Sequence, residues 1–174
     1  IRSVIGKGTQ PSLMMDFGGQ STRFSIVDYG IVRLAHTVDR SSSEITESLS
    51  KGLGIDFNRA EKLKKDIGYS SRPEHKEIGN VMGPILDHIF SEGTRVAGEY
   101  YRRSGRQVKK VWLSGGGSML AGLTDISVTK FGVEVNKADP FKKTAYPSFL
   151  EDVLREIGPT FSVATGAALR ALEE

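Results

Sequence analysis

Two glycine turns constrain this chain more than any other feature: Gly18-Gly19 after the apolar run Leu13-Met14-Met15, and Gly115-Gly116-Gly117 after Lys109-Lys110-Val111-Trp112-Leu113. Each ends a predicted strand, where glycine removes the side chains that would hold a ligand away from backbone N–H groups. Two such turns can hold two ends of one nucleotide. In the first, Asp16-Phe17-Gly18-Gly19-Gln20-Ser21-Thr22, Asp16 can face a magnesium ion, which keeps several waters and needs few protein ligands. The hydroxyls of Ser21 and Thr22 add donors for phosphate oxygens. A glycine-rich hairpin with an Asp at its start fits the heptapeptide equally well. In the second, the glycines lead into Ser118-Met119-Leu120-Ala121-Gly122-Leu123, read as a helix start whose N–H groups stay available to polar ligand atoms. Other nucleotide and nucleophile patterns fail. Position 120 is Leu, so the dinucleotide fingerprint is incomplete; Ser118 is not in a nucleophile elbow; and Gly6-Lys7-Gly8-Thr9 lacks the upstream glycine of a P-loop.

Composition narrows the class without naming a function. With 174 residues, 38% hydrophobic and 26% charged, the chain can bury a sizeable core and is not disordered. Its net charge of +3 is spread along the sequence beside acids, which argues against nucleic-acid binding. Having no cysteine removes disulfides, thiolate chemistry and Cys-ligated metals. His36, His75 and His88 are scattered, with no helical pair for a structural metal. No apolar run approaches the length that spans a bilayer. The opening Ile1-Arg2-Ser3-Val4-Ile5-Gly6 resembles the last turn of a helix, which suggests the C-terminal piece of a larger protein.

Periodicity predicts three strands, Leu13 to Gly18, Thr22 to Val27 and Ile31 to Val38, the last two joined tightly through Asp28-Tyr29-Gly30. Ser41 with Glu44 forms a capping box for a helix carrying Ile45 and Leu49 that stops at Gly52 and Gly54. A second helix starts after Asp56, with Phe57, Ala60, Leu63 and Ile67 on one side. On residues alone its Glu61 and Lys64 read as a solvent-exposed ion pair. Ile78, Met82, Ile85, Ile89, Val96 and Tyr100 mark a long amphipathic helix, bent or restarted at Gly83-Pro84. Arg102, Arg103, Arg106, Lys109 and Lys110 read as a solvated basic helix end. Further on come a helix through Leu123 and Ile126, a strand at Val133-Glu134-Val135, a helix from Phe149 ended by Gly158-Pro159, and a final helix from Phe161 to Leu172.

Taken together and in order, these motifs resemble the second half of an actin-like ATPase, the superfamily of actin, FtsA, MreB, the sugar kinases and the heat-shock ATPase chaperones. Asp16 to Thr22 resembles its phosphate-2 turn, and Ala60-Glu61-Lys62-Leu63-Lys64 its adenosine-contacting helix. Leu113 to Ser118 resembles its adenosine turn, and Ala164-Thr165-Gly166-Ala167-Ala168 its second connecting helix. Within the superfamily the chain is most similar to the PilM family of type IV pilus assembly proteins.

The resemblance implies an α/β fold: a ribonuclease H-like sheet with helices from residues 1–40 and 104–174, a mainly helical insertion over 41–103, and an N-terminal half lying outside this sequence. It implies ATP and Mg2+ as ligands. Asp16 would orient the metal through water. Gly18, Gly19, Gln20, Ser21 and Thr22 would surround the phosphates, Glu61 and Lys64 would meet the ribose or adenine, and Gly115, Gly116, Gly117 and Ser118 the adenosine. Gln20 stands where several superfamily members carry a third glycine, which stiffens the turn. The first phosphate turn and the residue that orients the attacking water have no counterpart here, so no catalytic residue is assigned and the piece alone should hydrolyse ATP poorly.

For the PilM family the implied setting is cytoplasmic, at the inner membrane through partners. Those partners are the PilN cytoplasmic tail, bound mainly by the other half, and further platform or motor proteins, with no nucleic acid and no membrane insertion. Three other functions remain open: a sugar-kinase-like phosphotransferase, an FtsA- or MreB-like filament protein, and a scaffold that binds no nucleotide.

Overall fold

In the computed structural model, which describes residues 1, 3–5, 8–70 and 72–172, the three predicted N-terminal strands form a meander. β1 (Ser12–Phe17) pairs antiparallel with β2 (Thr22–Asp28), and β2 with β3 (Ile31–Val38). The β2–β3 turn places Tyr29 and Gly30 at φ of +52° and +73°, the mirror-image geometry that suits the right-handed twist of a hairpin. On the other side of β1, β4 (Lys110–Ser114) and β5 (Glu134–Lys137) continue the sheet in parallel, giving the order β3-β2-β1-β4-β5.

The helices begin and end where local chemistry directs. α1 (Ser42–Leu53) is capped by the Ser41 side chain, which accepts from the Glu44 N–H, and closes on Gly54 in the left-handed region. α2 (Phe57–Ile67) is capped by Asp56. α3 (Lys76–Ser104) closes on Gly105. α4 (Leu123–Phe131) and α5 (Glu151–Ala171) complete the chain. One core joins sheet and helices: Leu13, Phe24 and Leu113 pack with Phe90 and Met82 of α3 and with Ile45 and Leu49 of α1. Burying such side chains is the main favourable term in folding.

Three expectations are corrected. α3 continues through Gly83-Pro84 without restarting, and α5 runs through Gly158-Pro159 rather than ending there. In both places the residue before proline is glycine, which has no Cβ to clash with the proline ring. At α5 the dipeptide is also buried: a Cβ on Gly158 would lie 3.2 Å from Pro140, and the Pro159 carbonyl accepts from the Gly115 N–H at 2.9 Å. The segment from Ser118 does not start a helix. Gly116–Met119 forms a 3-10 turn, and α4 begins only at Leu123 behind Gly122.

Of the final turn expected over residues 1–6, Arg2 and Gly6 lie outside the described residues. The N–H groups of Val4 and Ile5 donate to the Ile1 carbonyl. The basic segment is more than a solvated helix end. Arg103 pairs with Glu99 and Lys110 with Glu134, while Arg106 reaches the buried carboxylate of Asp28. The small residues Ala164, Ala167 and Ala168 of α5 are exposed.

Candidate functional site

Parallel pairing of β1 with β4, in register Asp16 to Ser114, makes the two glycine turns leave the sheet side by side from the carboxyl ends of adjacent strands. Ligands of open α/β sheets bind outside that edge. The first turn is braced by the start of α1: the Gly18 and Gly19 carbonyls accept from the N–H groups of Ser42 (3.0 Å) and Ser43 (3.3 Å), and the Gly18 N–H donates to the Ser21 carbonyl. The N–H groups of Gly19, Gln20 and Ser21 have no partner among the described residues, and Gly19 and Gln20 are exposed. Asp16 is half-buried at the mouth of the turn, with Ser114 Oγ 3.4 Å from its Oδ1. Thr22 is fully buried and its hydroxyl donates to the Arg40 carbonyl at 2.8 Å, so that donor is committed inside the protein.

Two glycines of the second turn are structural requirements. Gly115 has φ of +83°, and a Cβ there would lie 2.5 Å from the Phe17 carbonyl oxygen and 2.7 Å from Asp16 Oδ1. A Cβ on Gly117 would meet the Phe17 ring at 2.6 Å. Gly116 alone would have nothing within 4 Å of a Cβ. Ser118 turns inward: it is fully buried and its hydroxyl donates to the Gly115 carbonyl at 2.7 Å.

On α2 the expected exposed ion pair is instead a mostly buried network, because α1 packs over it. Lys64 is only 5% exposed. Its Nζ lies 2.7 Å from Glu61 Oε2 and donates to the Ser42 carbonyl (3.0 Å), Ser42 Oγ (2.9 Å) and Thr46 Oγ1 (2.8 Å). Thr46 in turn donates to Glu61 Oε2 at 2.5 Å. Burial pushes the Glu61 carboxyl up, but hydrogen bonds from Lys64 and Thr46 and the Lys64 charge outweigh it and bring it down to about 2. The other oxygen, Oε1, has only the exposed Lys65 at 3.3 Å.

These elements converge on a cleft of about 550 Å³ lined by Gly19, Ser42, Ser43, Glu61, Gly116 and Thr160 among others. A smaller recess of about 100 Å³ beside it reaches Leu120. Of the expected site residues, Gly19, Glu61, Lys64, Gly116 and Gly117 line this cleft; Asp16, Gly18, Gln20, Ser21 and Gly115 are not among its lining residues, and Thr22 and Ser118 face the interior. Sequence reasoning missed Ser42, Ser43, Thr46 and Thr160. Ser42 and Thr46 are one helical turn apart on the first turns of α1, a spacing that places them on one face, but only the packing of α2 shows that this face is polar and buried. A second hollow, of about 470 Å³, lies by the amino ends of β4 and β5 between Tyr101, Val108, Phe131 and Val133, and none of the expected site residues lines it.

Comparison with known proteins fits this geometry. Among curated proteins no sequence matches. Among solved structures, the PilM–PilN type IV pilus biogenesis complex aligns at TM-score 0.81 and 26% identity, covering 97% of this chain and 48% of that one. MreB5 of Spiroplasma citri bound to ADP aligns at 0.71 and 16% identity, over 96% of this chain and 55% of that one. Ta0583, an archaeal actin homologue in complex with ADP, aligns at 0.67 and 17%, over 98% and 52%. The fold is therefore half of an actin-like ATPase, and this chain spans about half the length of the structures it matches. The family model described as type IV pilus assembly protein PilM matches residues 6–172, and the chain belongs to that family.

Proposed function

We propose that this chain is the nucleotide-binding half of a type IV pilus assembly protein, in which Mg-ATP closes the cleft against the other half and so controls partner binding. The observation that carries the reading is the convergence of the two glycine turns and Glu61 on one cleft. The residues fit the ligand. The N–H groups of Gly19, Gln20 and Ser21, without partners among the described residues, are successive backbone donors of the kind that bind phosphate. Gly116 leaves room for the nucleoside, and Glu61 Oε1 offers it an acceptor.

Among the described residues no cluster of three His, Asp or Glu could hold a metal. A magnesium ion would therefore rest on Asp16, water and the phosphates, and its contribution when bound is to neutralise phosphate charge. Asp16 keeps its carboxylate at the mouth of the turn, and the buried Thr22 and Ser118 fix the shapes of the two turns rather than touching the ligand.

The solved relative is a PilM–PilN complex. By extension, the partner is the cytoplasmic tail of PilN, held mainly by the other half, at the cytoplasmic side of the inner membrane. Among the described residues no helix is long and apolar enough to cross a membrane. A nucleotide shifts such a cleft only by its differential affinity for the open and closed forms.

The test is the Tm of the full-length protein with and without Mg-ATP, beside Asp16→Ala. Ligand at 100 times its Kd stabilises by about 2.7 kcal/mol, so wild type shifts upward and the variant does not. No shift in wild type, with calorimetry also showing no binding, leaves an actin-like fold serving as a scaffold.

A further inference from the structure

Lys64 is a lysine that has spent its donors. An ammonium carries three protons, and four acceptors surround Nζ within 3.0 Å: Ser42 O, Ser42 Oγ, Thr46 Oγ1 and Glu61 Oε2. The side chain is 7% exposed. Any bond from Nζ to a ligand would strip one of these acceptors, and an unsatisfied buried polar group is costly. Thr46, fully buried, accepts from Lys64 and donates to Glu61. Both groups therefore act on the same oxygen of Glu61, Oε2, and leave Oε1, on a residue that lines the cleft, with only the exposed Lys65 at 3.3 Å.

We propose that Thr46 and Lys64 are positioning residues of the nucleotide cleft: they hold Glu61 Oε2 so that Oε1 is the oxygen left to accept from a hydroxyl or amine donor of the nucleoside. This rests on the nucleotide reading above. It assigns a binding role to α1, whose only other contribution to the site is its amino end. The lock has two parts. Lys64 supplies the charge beside Glu61, and Thr46 supplies direction: its hydroxyl lies 3.2 Å from the Ser42 carbonyl but 2.5 Å from Glu61 Oε2, and giving its proton to the nearer, charged oxygen fixes which carboxylate oxygen is engaged. The charged groups acting on Glu61 are Lys64 and Lys65; α1 meets the network with the neutral Ser42 and Thr46, and Gly116 and Gly117 carry no titratable group.

The experiment compares Thr46→Val, which keeps the shape and loses the hydroxyl, with Thr46→Ser, which keeps the hydroxyl, in the full-length protein. Two readouts are taken: the carboxyl titration of Glu61 followed by NMR with ¹³C-carboxyl-labelled glutamate and no nucleotide, and Mg-ATP affinity by calorimetry at pH 7.5 and 5.5. Circular dichroism checks that both variants are folded.

In Thr46→Val the Glu61 midpoint rises toward the ordinary carboxylate range and Mg-ATP binds about tenfold more weakly, as expected for losing a hydrogen bond to a charged group. The loss is nearly the same at pH 7.5 and 5.5, because a carboxyl at or below its ordinary value of 4.5 stays ionised at both, and Thr46→Ser behaves as wild type in both readouts. An unmoved Glu61 midpoint in Thr46→Val overturns the proposal whether or not nucleotide binds. Equal loss in both variants also overturns it, since that is a packing effect. If wild type binds no Mg-ATP while the midpoint still moves, the nucleotide reading fails and takes the ligand-facing role of Oε1 with it.

Discussion

Tyr100→Phe removes one oxygen atom beside Asp28, at the opposite end of β1 from the glycine turns, and its cost can be worked from the surroundings of Asp28. That carboxylate is 3% exposed. It accepts from the Tyr100 hydroxyl at 2.6 Å and from Arg106 Nη2 at 3.1 Å, with Arg106 Nε 2.9 Å away. Arg106 also lies over the Tyr29 ring at 4.7 Å and donates to the Thr9 carbonyl, so one guanidinium ties the hairpin turn, the end of α3 and the lead into β1.

A hydrogen bond to a charged group contributes about 1.5–3 kcal/mol, and with Arg106 still in place the expected loss is about 2 kcal/mol. Burial pushes the Asp28 carboxyl up, but the bonds from Tyr100 and Arg106 and the arginine charge bring it below its ordinary value. A depressed carboxylate contributes stability that is present above the unfolded value of 3.8 and lost as pH falls through the folded one. The gap between wild type and Tyr100→Phe is therefore constant from neutral pH to about pH 5 and narrows below 3.8. Urea denaturation of the full-length pair at pH 7 and pH 3 measures it. A loss under 0.5 kcal/mol at pH 7, or a gap that does not shrink in acid, refutes the assignment of Asp28 as a buried, hydrogen-bonded anion.

Gly115→Ala and Gly116→Ala separate the structural from the binding role of the second turn. The first forces a side chain into a glycine-only conformation against Phe17 and Asp16, costs at least about 1–3 kcal/mol, and abolishes the Mg-ATP shift in a thermal melt. The second leaves Tm unchanged, because nothing lies within 4 Å of the new Cβ, and weakens nucleotide alone, as isothermal calorimetry will show. In acid, Glu61, Glu92 and Asp28 all act in one direction, because each is held below its ordinary value. Stability measured by denaturant titration should be flat from pH 8 to about 5 and fall from 4.5 toward 2, with Thr46→Val starting to fall at the same pH as wild type but losing less, because its Glu61 is less depressed.

The parts of the fold that were legible in the sequence are those written in adjacent residues. Ser41 with Glu44, Asp56 before Phe57, and Gly54 after Leu53 mark helix ends through contacts spanning four residues or fewer, so local chemistry decides them. The glycine turns were legible as turns for the same reason. The Gly-Pro pairs misled because a proline signals a break only when its neighbours let the helix end. Here burial of Gly158 against Pro140 and the bond from Gly115 to the Pro159 carbonyl hold α5 together, and neither partner is near in sequence. Glu61 and Lys64 were found by spacing, but their burial was not, because Ser42 and Thr46 lie 15 to 22 residues away. The Asp28 clamp was invisible, its partners being 72 and 78 residues distant.

Sheet register explains why the clamp and the candidate site coexist without interfering. β2 runs antiparallel to β1, with Val27 opposite Ser12, so Asp28 sits beside the amino end of β1 while Asp16 sits near its carboxyl end. The four steps from Ser12 to Asp16 span about 13 Å at strand rise, beyond the range over which substitutions usually couple. A buried carboxylate held by several hydrogen bonds rigidifies its surroundings, and Asp28, with the part-exposed Arg106 over it, lies at the end of β1 away from the turns. The glycine edge is instead left with unpaired N–H groups at Gly19, Gln20 and Ser21, the low-stability arrangement that a ligand can complete. The buried clamp thus lies at one end of β1 and the unpaired N–H groups at the other, so in the proposed reading a nucleotide at the carboxyl edge meets the free donors without drawing on the contacts around Asp28.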